Sequence, residues 1–152
     1  MRIRTWLLTA MVTIMLCWSG YGQTTAIRAE RDLFASINQA RRAQGMPPLR
    51  WDEALATAAR RHAEVMANRG SAQHGFEGEP SLSVRVKQTG ARFTWLSENV
   101  TQGPTPVFIH TQFMKSPAHC ANILDRDMDS IGVGVVEQGG QLFAVEDFSQ
   151  AR

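Results

Sequence analysis

The sequence predicts an α+β fold in which helices cover a mainly antiparallel sheet. Three observations carry this. Two amphipathic segments with helical spacing follow a leading apolar stretch, shorter helical segments continue through the middle, and an alternating strand, a glycine turn and a second β-prone arm close the chain as a C-terminal hairpin.

The first segment is basic, Met1-Arg2-Ile3-Arg4-Thr5, and is followed by an apolar run from Trp6 to Trp18 and the small residues of Ser19-Gly20-Tyr21-Gly22. Such a run is too short to span a bilayer comfortably, whereas a secretory h-region has this length. Residues 1–22 therefore read as a signal peptide cleaved near Gly22, and residues 23–152 as a single domain that is secreted or periplasmic. Cys17 follows Leu16 without the small residue a lipoprotein cleavage site requires.

The next helix is expected over Ala29 to Gln44, because Leu33, Ile37 and Ala40 recur on one face with Phe34 widening the stripe. Gly45 and Pro47-Pro48 end it. A second helix starts from Asp52 as N-cap and runs to about Asn68, stopped by Gly70. Its buried stripe is Leu55, Ala58, Ala59, His62 and Met66, so His62 reads as a core histidine. The polar stretch from Ser71 to Pro80 reads as a loop that carries His74, with Glu77 and Glu79 as ordinary surface acids.

Ser81 to Gln88 is a short third helix, and Phe93-Thr94-Trp95-Leu96 a strand leading to Glu98. Gly103-Pro104-Thr105-Pro106 then breaks the chain before a helix from Thr105 to Lys115. Ser116 caps a new short helix with Pro117 at its first position, ending near Leu124. His119 lies in that first turn, where the helix dipole disfavours the protonated ring. Ile131, Val133 and Val135 alternate as a strand, Gln138-Gly139-Gly140 turns, and Gln141 to Phe148 returns. Gly132 and Gly134 mark a face where another element packs closely.

Composition narrows the function. The chain of 152 residues has 16 Lys and Arg against 14 Asp and Glu, and removal of Arg2 and Arg4 with the signal peptide brings the balance to 14 against 14. No basic patch is left to argue for nucleic acid, and no transmembrane span is expected in the mature domain. Cys17 leaves with the signal peptide, so Cys120 stands alone and no internal disulfide is available. Its neighbour His119 lies about 100° around the helix, which argues against a Cys-His nucleophile and for a small buried thiol. His110 packs or snorkels from its helix.

Three groups share a chemistry: His74, Glu98 and His119. Two imidazoles and a carboxylate form the ligand set of many catalytic zinc sites. Separations of 24 and 21 residues leave a metal site and three unrelated polar residues equally open.

The order Ser97-Glu98-Asn99-Val100, Ser116-Pro117-Ala118-His119 and Ile131-Gly132-Val133-Gly134 resembles the landmarks of the CAP superfamily of cysteine-rich secretory, antigen 5 and pathogenesis-related proteins. The chain is similar to its short, cysteine-poor bacterial members from about Leu33 to Phe148, with Leu49-Arg50-Trp51-Asp52 and Arg85 ahead of Gly90 agreeing as well. The resemblance implies a three-layer α-β-α sandwich with an open cleft lined by His74, Glu98 and His119. It also implies a second glutamate where this chain has Ser116, and a tryptophan where it has Phe113, so the site is expected as a triad with Ser116 alongside. A paired-carboxylate mechanism is weakened by that departure, while a His-Glu-His metal set survives it.

The expected function is thus a secreted module whose cleft binds Zn or another divalent metal, or a small polar extracellular ligand with no cofactor. The alternative is a metal-assisted hydrolase of an extracellular or cell-wall polymer with Glu98 as ligand or base. A third possibility is a scaffold for lipid or protein in which the cleft residues only bond one another.

Overall fold

The computed structural model describes the backbone of residues 4–151 and the side chains of residues 23–150. Its helices are α1 (Arg4–Ala43), α2 (Glu53–Arg69), α3 (Leu82–Lys87), α4 (Pro106–Lys115) and α5 (Pro117–Ile123). Its strands are β1 (Arg50–Trp51), β2 (Phe93–Gly103), β3 (Ser130–Gln138) and β4 (Gln141–Ala151).

Local chemistry accounts for most boundaries. Asp52 caps α2 by accepting from the N–H groups of Ala54 at 2.8 Å and Leu55 at 3.0 Å, and Gly70 ends it at φ 63, a conformation that suits glycine. Thr105 caps α4 through the Phe108 N–H, with Pro106 in the first turn. Ser116 takes the N-cap position of α5, but its side chain makes no capping bond there. Helix α1 starts at Arg4, far ahead of the expected Ala29, since no proline interrupts the chain before Pro47. The signal-peptide reading of residues 1–22 falls on side chains outside the described residues. Among the described residues no helix is long and apolar enough to cross a membrane.

The sheet runs in the order β1-β3-β4-β2. The hairpin β3–β4 and the pair β2–β4 are antiparallel, whereas β1 pairs parallel with β3 through Arg50 and Trp51. The sheet is therefore mixed, because the residues leading into α2 stay extended long enough to bond the outer edge of β3. Strand β2 continues well past the expected β-prone stretch to Gly103 and forms the opposite edge.

Layers follow from strand alternation. Ile131, Val133 and Val135 of β3 and Leu142, Ala144 and Phe148 of β4 face α1, α4 and α5, where Leu33, Ile37, Ile109, Phe113 and Ile123 complete one core. The other sheet face packs against α2: Phe143, Val145 and Val100 meet Ala59, Ala63 and Met66, and α3 adds Val86 against Leu55 and Ala58. This is the α-β-α sandwich implied by the resemblance. Gly132 and Gly134 let α2 lie directly on β3, since a Cβ at either would collide with the backbone of Ala56 or Arg60.

Buried charge ties the layers together. Glu30 of α1 accepts from both Nε and Nη2 of Arg60 on α2 at 2.9 and 2.8 Å. The fully buried Arg41 donates to the carbonyls of Pro47, Ile123, Asp125 and Met128, satisfying the chain that leaves α5.

Candidate functional site

The site straddles the β2 edge of the sheet, and two consecutive residues organise it. Glu98 points toward the α2–α3 layer and Asn99 toward the α4–α5 layer, as successive strand residues must.

On the first side, the Glu98 side chain is only 3% exposed and opposes Asp147 of β4. Its Oε2 accepts from Nη2 of Arg85, a guanidinium itself 7% exposed, and its Oε1 accepts from Nδ1 of His74 at 2.9 Å. Arg85 also donates through Nη1 to the carbonyls of His74 and Pro80, both at 3.2 Å, so it holds the loop as well as the carboxylate. The His74 side chain remains 61% exposed. Donation of Nδ1–H to Glu98 leaves Nε2 as the nitrogen available to a ligand. That hydrogen bond raises the pKa of His74 above its ordinary value, against a smaller opposing effect of burial.

Asp147 is wholly buried, and neither carboxyl oxygen receives a hydrogen bond. Burial first, and the Glu98 charge second, push its pKa well above the usual carboxylate range. Glu98 thus has two donors, His74 and Arg85, with the unbonded Asp147 across the strand pair.

On the second side, Asn99 is fully buried and donates to the His119 carbonyl at 3.2 Å and to Glu146 Oε2 at 3.1 Å. Its own oxygen accepts from Asn122 at 2.8 Å. These bonds moor α5 to the strand. The half-buried His119 ring stands edge-on to Phe113, 5.1 Å between centroids. Its pKa is lowered, chiefly by burial and then by the charge of His74. The direction favours the neutral imidazole, with desolvation rather than the helix dipole as the leading cause.

The structure joins His74 to Glu98 directly and brings His119 within electrostatic reach of His74 from the opposite layer. Ser116 sits half-buried at the joint of α4 and α5, and among the described residues no hydrogen bond joins it to His74, Glu98 or His119. His110 is half-buried with an unpartnered Nδ1, and burial lowers its pKa. Cys120 is a free thiol, half-buried where a buried one was expected.

A three-ligand metal site does not fit this arrangement. Among the described residues no group of three or more His, Cys, Asp or Glu side chains is placed to hold a metal ion. Both oxygens of Glu98 are already taken by donors, which leaves two imidazoles as the unengaged donor chemistry.

Sequence reasoning missed several members. Arg85 enters there only through the resemblance, ahead of Gly90, with no role in the site assigned to it. Asp147 shows only as an acid on the same strand face as Phe143 and Val145, where the inward positions are otherwise apolar. Glu79, expected on the surface, is a correction: its side chain is 8% exposed and meets Nδ1 of the buried His62 at 2.6 Å. No loop pattern announces such a pairing.

The sequence profile of the cysteine-rich secretory protein family, CAP, matches residues 34–148. The chain belongs to the CAP family. It is 32% identical over 111 residues to the uncharacterized protein YkwD of Bacillus subtilis (strain 168), covering 72% of this chain and 43% of that protein. An extracellular protein from Bacillus anthracis containing an SCP domain has the same fold, with a TM-score of 0.79 at 22% identity over 85% of this chain and 42% of that one. An outer surface protein of Borrelia burgdorferi aligns with a TM-score of 0.76 at 18% identity, over 82% and 94% of the two chains. The chain spans less than half the length of both Bacillus proteins, so its CAP domain is the part they have in common.

Proposed function

We propose that this CAP protein is an exported binding module whose cleft, between His74 and His119, holds a small polar extracellular ligand. One observation carries the reading: a buried, fully bonded carboxylate orients an exposed imidazole beside a second, neutral one. Glu98 has its charge compensated and its carboxylate held by Arg85, so His74 is presented with a defined tautomer and an outward nitrogen. The basic and apolar N-terminal segment and the extracellular setting of relatives support export.

A divalent cation such as Zn is a second form of the same reading, favoured by the carboxylate–histidine pair. An imidazole whose other nitrogen donates to a carboxylate is the arrangement that metal-bound histidines adopt. His74 and His119 would hold the ion, and Glu98 would orient His74. The hydrolase reading is weaker, because Glu98 as base needs an oxygen free of donors. Loss of a metal-dependent turnover in Glu98→Gln would favour it.

Calorimetry with zinc, following the His74 and His119 ring signals by NMR in parallel, tests the proposal. Binding that shifts both rings and is lost in His119→Ala is expected for the metal form. Equal or absent binding in the two proteins removes that form, and ring signals unmoved by zinc and by carboxylate, phosphate and sugar probes refute the cleft.

A further inference from the structure

The fully buried His62 of α2 holds the loop on which His74 rides. It bonds through both ring nitrogens: Nε2 to the Gln73 carbonyl at 2.9 Å and Nδ1 to Glu79 Oε1 at 2.6 Å. A carbonyl only accepts, so Nε2 carries a hydrogen. A second hydrogen must lie between Nδ1 and Glu79, since otherwise a lone pair and an ionised oxygen would face each other out of reach of water. The pair therefore keeps one proton more than a neutral imidazole beside a carboxylate.

Its two contacts fall at the ends of the segment 73–79, which contains His74. Glu79 closes that segment internally as well: its Oε2 accepts from the Phe76 N–H at 3.2 Å, and its own N–H donates to the Phe76 carbonyl at 3.0 Å. The Phe76 ring lies 6.3 Å from the His62 ring, with Arg69 5.9 Å above it. On the α3 side Arg85 Nη1 stands 3.9 Å from Glu79 Oε1, and the same guanidinium bonds Glu98, behind which lies Asp147. Arg61, the residue before His62 on α2, lines with His62, Glu79 and Arg85 a hollow of about 160 Å³. On the sheet side α2 meets apolar residues of β4, Phe143 and Val145.

We propose that His62 and Glu79 form a proton-holding clasp that positions His74. While the shared proton is present, the ends of the loop are pinned to α2 and Arg85 is free to serve Glu98. When it leaves, Glu79 and Glu98 compete for the single guanidinium between them, and the loop carrying His74 loosens. For its consequence in ligand binding the clasp rests on the cleft reading above; as a structural device it does not.

Amide hydrogen exchange of the full chain without ligand tests it, with the protection factor of Phe76 compared with that of Ala63 on α2. Glu79→Gln is the informative variant, because a carboxamide can accept from the Phe76 N–H and donate to a neutral His62 with no extra proton. At one fixed pH the Phe76 protection factor is expected to fall about tenfold or more in Glu79→Ala, the scale of a lost bond to a charged group, while Glu79→Gln keeps it. The His74 ring-nitrogen signals should move in Glu79→Ala and remain native in Glu79→Gln. Native Phe76 protection in Glu79→Ala, or its loss in Glu79→Gln, overturns the clasp. Because no ligand is present, failure of the clasp and failure of the cleft are read separately.

Discussion

Replacing Glu146 with Gln should make the protein more stable, and increasingly so as pH rises. The Glu146 side chain is completely buried on β4, its Oε2 accepts from Asn99 and its Oε1 has no donor. Burial pushes its pKa from 4.5 up to about 8. The folded state therefore binds a proton that the unfolded chain releases near pH 4.5, and the stability this gives is complete below that point and lost as pH rises through about 8. At about 1.4 kcal/mol per pKa unit the loss is about 3 kcal/mol at pH 7 and approaches about 5 kcal/mol above pH 8. Gln keeps the acceptor for Asn99 and has nothing to ionise. Urea unfolding of both proteins at intervals from about pH 5 upward should thus give curves that coincide in acid and diverge by these amounts. Asp147, shifted in the same direction, is common to both proteins and leaves the difference unaffected. Parallel curves, or a Gln variant less stable at pH 8, would refute the reasoning.

Arg85→Met strips the buried Glu98 of its cation, and removal of one partner from such a pair costs about 3–5 kcal/mol, measurable by thermal or urea unfolding. Glu98→Gln should bring the His74 titration, followed by NMR, back down toward its ordinary value, since the bond to Glu98 is the main cause of the raised pKa. The stability of that contact is present below about pH 6.5 and disappears as pH passes the raised value, so the variant should show a weaker acid-side advantage than the native chain. Gly132→Ala forces a methyl group into the Ala56 backbone, and overpacking of this kind costs about 1–3 kcal/mol or more, with α2 lifted from the sheet and the denaturant midpoint lowered.

The fold is largely legible in the sequence because its signals are local. Asp52 and Gly70 bracket α2, Pro106 and Pro117 open α4 and α5, and Gly139-Gly140 turn the hairpin, each by a backbone requirement visible in one or two residues. The parallel strand β1 is not, because two residues carry no period. In the site, motif order points to His74, Glu98 and His119, yet their relation depends on which face of β2 each meets. That is fixed by the register Glu98–Asp147 and Asn99–Glu146 across a long sequence separation. The roles of Arg85, Glu79 and Asp147 escape a sequence reading for the same reason: their neighbours are supplied by tertiary contact.

The two faces of β2 are also treated differently in charge, and this bears on what the cleft can hold. On the α2–α3 side, the acids Glu98 and Glu79 have Arg85 and His62 beside them, and the bond to Glu98 raises the pKa of the exposed His74 imidazole. On the α4–α5 side, Glu146 accepts from the Asn99 amide and burial raises its pKa to about 8, while burial lowers the pKa of His119. In the proposed cleft an anionic group of a ligand would therefore be drawn to His74, whereas a hydrogen-bond donor or a metal would find its lone pair more readily on His119. A ligand bridging the edge of the sheet would satisfy both with an acidic group at one end and a neutral donor at the other. Shifts of the His74 ring on adding a simple carboxylate, with His119 unmoved, would bear out this polarity; the reverse pattern would contradict it.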